Sequence, residues 1–162
     1  MVKKAVKAAQ SASPAQQMAR FIAKFDPGVA RQIRAARAVL RKTFPTANEL
    51  VYDNYNFFVI GYSTTERTSD CLFSLAADGH GVNLHFYWGS KLPDPHRILQ
   101  GSGSQNRFLR LESAAMLTRP EVQTLLDEAV TLAKNPLPGT GRGTTIIKSI
   151  SAKQRPRRLA EK

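Results

Sequence analysis

Between Val82 and Trp88 the chain alternates in a period of two: Val82, Leu84, Phe86 and Trp88 fall on one side, and Asn83, His85 and Tyr87 on the other. Successive strand side chains point to opposite faces, so the pattern predicts a strand with one face in the core and one face available. Upstream, the period changes to that of a helix. Ser13 is placed to cap and Pro14 to begin a first helix, whose apolar stripe is Ala15, Met18, Phe21, Ile22 and Phe25. Asp26-Pro27 repeats the start signal, and Val29, Ile33, Ala36, Leu40 and Phe44 recur at helical spacing until Pro45 closes the segment.

The segments Glu49–Asp53 and Tyr55–Tyr62, separated by Asn54, are rich in aromatic and β-branched residues and predict an antiparallel hairpin. A polar connector, Ser63 to Ser69, leads into a strand over Asp70–Ala77. The turn Asp78-Gly79-His80-Gly81 then feeds the Val82 strand. Strands joined by such short loops argue for a meander and against a parallel sheet. After a glycine-serine loop, Arg107 opens another short strand. Thr118-Arg119-Pro120-Glu121 starts a third helix with Val122, Leu125, Leu126, Ala129 and Ala133 as its stripe, ending near Asn135-Pro136. Thr144–Ile150 is expected as an edge strand. The fold class that results is α+β: two layers, an antiparallel sheet of about five strands, two N-terminal helices and one C-terminal helix. Its expected divisions are a disordered basic leader over 1–12, a single domain over 13–135 and a basic tail over 136–162.

A chain of 162 residues supports one core of ordinary size. Its single cysteine, Cys71, forms no intramolecular disulfide, and its position in an apolar run predicts a buried, inert thiol. No apolar run approaches the ~20 residues of a membrane helix, so the expected location is cytoplasmic, with no membrane partner and no cofactor. The net charge of +12 is uneven, with ten Lys and Arg against one acid up to Pro45, seven against ten as far as Asn135, and seven against one beyond. Basic ends around a mildly acidic middle attract polyanions, nucleic acid above all. Arg34, Arg37 and Arg41 share one side of the second helix, and Arg155, Arg157 and Arg158 punctuate the tail; together they are the polyanion-binding candidates. Tyr55, Tyr62 and Tyr87 are the aromatics on which a single strand would stack.

Three smaller sites suggest themselves. Gly101, Ser102, Gly103 and Ser104 form a loop whose N–H groups would converge on an anion, with Arg107 adding charge. It lacks the Gly-Lys-Ser/Thr ending of a Walker motif. Asn83, His85 and Tyr87, with Ser74 across the ladder and with Asp94 and His96 downstream, offer polar groups among aromatics for a small ligand. His85, Asp94 and His96 are also the weak metal candidates, because no Cys pair or His-x-x-x-His spacing fixes a stronger set. Catalysis has no support in the pattern: no serine sits in a nucleophile elbow, Cys71 has no adjacent histidine, and no close carboxylate pair invites general acid–base work.

The residues Asn83-Leu84-His85-Phe86, Gly89, Leu92-Pro93-Asp94-Pro95, Leu99, Gly101-Ser102-Gly103, Arg107 and Ile147-Lys148-Ser149-Ile150-Ser151 follow one another in an order that resembles the YdhG-like family of domains of unknown function. The resemblance covers most of the chain. It implies a small α+β fold with an antiparallel sheet covered on one side by helices, and a likeness to frataxin-type iron chaperones claimed for some members. Many similar sequences carry lysine and histidine where this chain has Ser104 and Phe108, which weakens an anion site built on those two positions. The expectation carried forward is a non-catalytic binding protein for an anionic partner, nucleic acid or a phosphate-bearing ligand. The alternative is a frataxin-like iron or small-ligand carrier.

Overall fold

The computed structural model describes residues 12–160, so the leader expected over 1–12 lies outside the described residues except for Ala12. Helix α1 is Pro14–Ala23, α2 is Pro27–Thr43 and α3 is Pro120–Thr131. Ser13 caps α1 reciprocally: its hydroxyl accepts the Gln16 N–H, and its own N–H donates to Gln16 Oε1. Asp26, at the equivalent place before α2, makes no side-chain cap, and there the fixed φ of Pro27 carries the start.

The strands are β1 (Asn48–Asp53), β2 (Phe58–Ser63), β3 (Cys71–Asp78), β4 (Gly81–Phe86), β5 (Arg107–Leu111) and β6 (Thr145–Ile150), in the sheet order β5-β4-β3-β2-β1-β6. The first five form the expected antiparallel meander. β6 departs from the antiparallel expectation, since it pairs with β1 in parallel. Between β5 and β6 the chain passes through α3 and a long loop, and such a crossover returns a strand in the direction of its neighbour where a hairpin cannot. The chain beyond residue 135 therefore completes the sheet as well as extending from it.

One sheet face carries Val51, Phe58, Ile60, Tyr62, Phe73, Leu75, Ala77, Val82, Leu84, Phe86, Leu109 and Leu111, all packed in a single cluster with the apolar stripes of the three helices. Glu49 and Asp53 lie on that same face, because they pair with Tyr62 and Phe58 across the ladder. Two carboxylates thus point under the helical layer. The other face carries Asn83, His85, Phe108 and Arg110 at its β5 side. The β4 alternation ends at Phe86: Trp88, expected inside, is 40% exposed. Among the described residues no helix is long and apolar enough to cross a membrane.

Candidate anion-binding cleft

The two inward carboxylates decide the fate of half the expected polyanion surface. Arg37 Nε and Nη2 donate to Glu49 Oε2 and Oε1, each at 2.9 Å, and Arg41 Nη1 stands 3.7 Å from the same carboxylate. Tyr62 completes the group with a hydroxyl 3.0 Å from Glu49, so it is buried in the core and offers no stacking surface. Asp53 is held in the same way by Lys24 Nζ at 2.6 Å and by Arg157 Nη2 at 2.9 Å. Arg157, only 4% exposed, is an internal partner and leaves the tail's anion-binding set. Arg158 donates to the Lys24 carbonyl, and the Arg155 guanidinium lies 5.8 Å from the Tyr55 ring centre. Arg34 alone of the α2 candidates stays exposed and without a salt bridge among the described residues.

The glycine-serine loop is exposed, and it uses carbonyls where an anion site needs N–H groups. Arg107 Nη1 donates to the carbonyls of Gly103 and Asn106, and Ser90 Oγ donates to that of Ser104. Arg107 Nη1 thus serves the loop's own carbonyls, in exposed hydrogen bonds. Gly101, at a φ of 114°, serves the turn itself. Asp94 likewise works for its own loop, accepting the N–H groups of Ile98 at 3.0 Å and Leu99 at 2.9 Å. His96 sits exposed beside it.

On the open sheet face, Ser74 does stand across the ladder from His85, as expected. The His85 ring stacks on Phe108 at 5.2 Å, and its Nδ1 lies 3.1 Å from Asn106 Nδ2. Burial pushes His85 below the ordinary histidine pKa, against the hydrogen bond from Asn106, so the ring is neutral at pH 7. Asn83 is half-buried and Tyr87 exposed at the end of this row. Among the described residues no three His, Cys, Asp or Glu side chains come together to hold a metal ion. His85, Asp94 and His96, the weak metal candidates, are therefore not a ligand set.

A concavity forms elsewhere, at the end of the sheet where the β2–β3 connector, the turn after β4 and the end of α3 meet. It has a volume of about 500 Å³, within the ~300–1,000 Å³ typical of small-molecule sites. Its floor is apolar, from Cys71, Leu72, Phe86, Leu92, Ala129 and Ala133. Its walls carry Trp88 with Arg67, Lys91 and Lys134, and Thr64, Ser69, Asp70 and Asn135 supply the neutral and acidic polar groups.

Each wall has a local cause. In the connector, Ser63 and Thr65 hydroxyls bond neighbouring backbone groups, folding the segment into tight polar turns that carry Arg67 outward. After Phe86, a short 3₁₀ turn over Gly89–Lys91 swings Trp88 out of the strand line. Gly89 is required there, because a Cβ would come within 2.4 Å of the Arg107 Cβ and 2.8 Å of its backbone nitrogen. The turn brings Lys91 Nζ to 4.5 Å from the Trp88 ring centre.

The electrostatics favour an anion. Among the described residues Asp70 is the one acid lining the cleft, and its two oxygens already accept from Thr65 Oγ1 at 2.7 Å and Asn135 Nδ2 at 3.3 Å. Burial pushes the Cys71 thiol up to about 11, so it is protonated at neutral pH and is no nucleophile. Thr64 is 6% exposed, and its hydroxyl has no hydrogen-bond partner.

Sequence reasoning passed over these residues. Arg67 and Lys134 are singled out by no motif, and Trp88 is assigned inward only by extending the β4 alternation two residues too far. Trp88-Gly89 followed by Lys91 was the available signal. No family model matches the chain, and no curated protein or solved structure matches it either.

Proposed function

We propose that the protein is a non-catalytic binding protein for a phosphate-bearing ligand, taken up in the end-of-sheet cleft. One observation carries this reading: Arg67, Lys91 and Lys134 surround an apolar floor whose only acid, Asp70, is already hydrogen-bonded. Phosphate matches guanidinium and ammonium donors through charge-assisted hydrogen bonds, while the floor and the indole take the ligand's apolar body. Trp88 is the chain's single tryptophan, so its emission reports occupancy directly. Phenyl phosphate is expected to change that emission saturably, and Arg67→Ala with Lys134→Ala to weaken binding at least roughly tenfold, the scale of one charge-assisted contact where two are removed. A response that never saturates, or one unchanged in the double variant, would contradict the proposal.

A second reading concerns nucleic acid. Arg41, Lys42 and Arg142, with Pro45, line a recess of about 260 Å³ that no acid borders. With Arg34 and the exposed Arg155 and Arg158 it makes a cationic surface, in which Arg41 also stands beside Glu49. Binding of a labelled single strand that persists at physiological salt and weakens steeply as salt rises is the expected result if this surface neutralises phosphates. Loss of binding well below physiological salt would reduce the charge to a solubility feature.

A further inference from the structure

Resting on the cleft proposed above, we infer that its ligand carries the phosphate on a heteroaromatic body, as a nucleoside monophosphate does, with Thr64 reading the ring. Three features of the cleft select this class over an acyl or simple aryl phosphate.

The first is Thr64 itself. It borders the cleft, 6% exposed, with a hydroxyl that bonds nothing. A buried polar group without a partner is costly, and in a folded protein it calls for one. The hydroxyl is buried in the free protein, and a change of χ1 rotamer would place it where the methyl now stands. An alkyl chain or phenyl ring lying against it would leave the cost in place. A ring nitrogen or exocyclic group relieves it, since the hydroxyl both donates and accepts.

The second is Trp88. Its indole is 40% exposed, and the Lys91 ammonium lies over it at 4.5 Å. A planar ring stacked against the indole fills the space above the leucine floor, and stacking suits bases because each has a π face. The third is the position of the cations. Arg67 and Lys134 come from the connector and from the segment after α3, and the indole from the turn after β4, so cations and ring line the cleft from separate elements and one ligand would meet both.

The test is calorimetric titration of the full chain with adenosine monophosphate, phenyl phosphate, ribose 5-phosphate and adenosine. Adenosine monophosphate is expected to bind at least about tenfold more tightly than the other three. Thr64→Val should lose roughly that factor for adenosine monophosphate while leaving phenyl phosphate unchanged. Its unfolding midpoint should not fall, because the hydroxyl makes no bond in the free protein. Equal binding of all three phosphates, with Thr64→Val silent, would overturn the ring inference and leave the anion site standing. Binding of adenosine as tight as its monophosphate, or no binding of any phosphate, would overturn both.

Discussion

Replacing Glu49 with alanine is expected to destabilise the protein by about 3–5 kcal/mol, the scale for removing one partner of a buried ion pair. Glu49 is 2% exposed and lies on the helix-facing side of β1. Its carboxylate accepts two bonds from Arg37, one from Tyr62 and one from Thr145 Oγ1 at 2.7 Å. Alanine leaves a half-buried guanidinium and a buried phenol without acceptors, and those orphaned donors carry most of the cost. Thr145 belongs to β6, so the same change loosens the parallel edge of the sheet. Denaturant unfolding of the variant should show a lower midpoint at an unchanged slope. A loss below about 1 kcal/mol would mean that Arg37 finds water at no cost and that the pair is ornamental.

The same carboxylates set the response to acid. Burial alone would push Glu49 and Asp53 up, but the hydrogen bonds and charges of Arg37 on Glu49, and of Lys24 and Arg157 on Asp53, outweigh it and hold both below the ordinary carboxylate range. A depressed folded pKa contributes stability that is fully present above the unfolded value and is lost as pH falls through the folded one. Stability should therefore be level above about pH 5 and decline below about pH 4. In Glu49→Gln that acid decline should be shallower.

Truncation after Ile150 is expected to cost about 3 kcal/mol, because the tail is a structural strap. Ser151 N–H donates to the Asp53 carbonyl at 2.9 Å, Arg155 N–H to that of Tyr55 at 2.8 Å, and Gln154 Nε2 to the Asp53 carbonyl at 2.9 Å. Arg157 reaches Asp53 from under this strap, with its guanidinium 6.0 Å from the Phe25 ring centre. Without it, Asp53 keeps only Lys24, whose side chain is 41% exposed. A thermal melt of the 1–150 chain lying several degrees below that of the full chain is the expected result; coincident melts would show that the strap adds nothing. Tail truncation is thus a poor probe of nucleic-acid binding, since it weakens the fold together with the charge. Arg155→Ala with Arg158→Ala removes exposed charge and leaves the Asp53 pair intact.

Local signals made much of this fold legible. Ser13-Pro14 and Asp26-Pro27 mark helix starts, and the apolar stripes of all three helices face the core, except that Ala15 is exposed and Val29 and Ala133 are half-buried. The meander was readable because the β1–β2 and β3–β4 hairpins are closed by short runs of turn residues. The direction of β6 was not, since Thr144–Ile150 looks the same in a parallel or an antiparallel edge. Charge was misread for a similar reason. Arg37 and Arg157 look solvated beside their sequence neighbours, and their partners, Glu49 and Asp53, sit on a different element whose facing only the register decides. The cleft is less legible still. Thr64, Arg67, Trp88, Lys91 and Lys134 come from three separated segments, and none stands out until the ends of the sheet and α3 converge.

The most direct test of the cleft is a map of backbone amide shifts during titration with phenyl phosphate. Binding in the cleft predicts saturable shifts confined to Thr64–Leu72, Trp88–Leu92 and Ala129–Asn135, with the Trp88 indole N–H moving alongside them. Shifts that gather on the Gly101–Arg107 loop, or that spread over Arg34, Arg41, Arg142 and Arg155 without saturating, would contradict it.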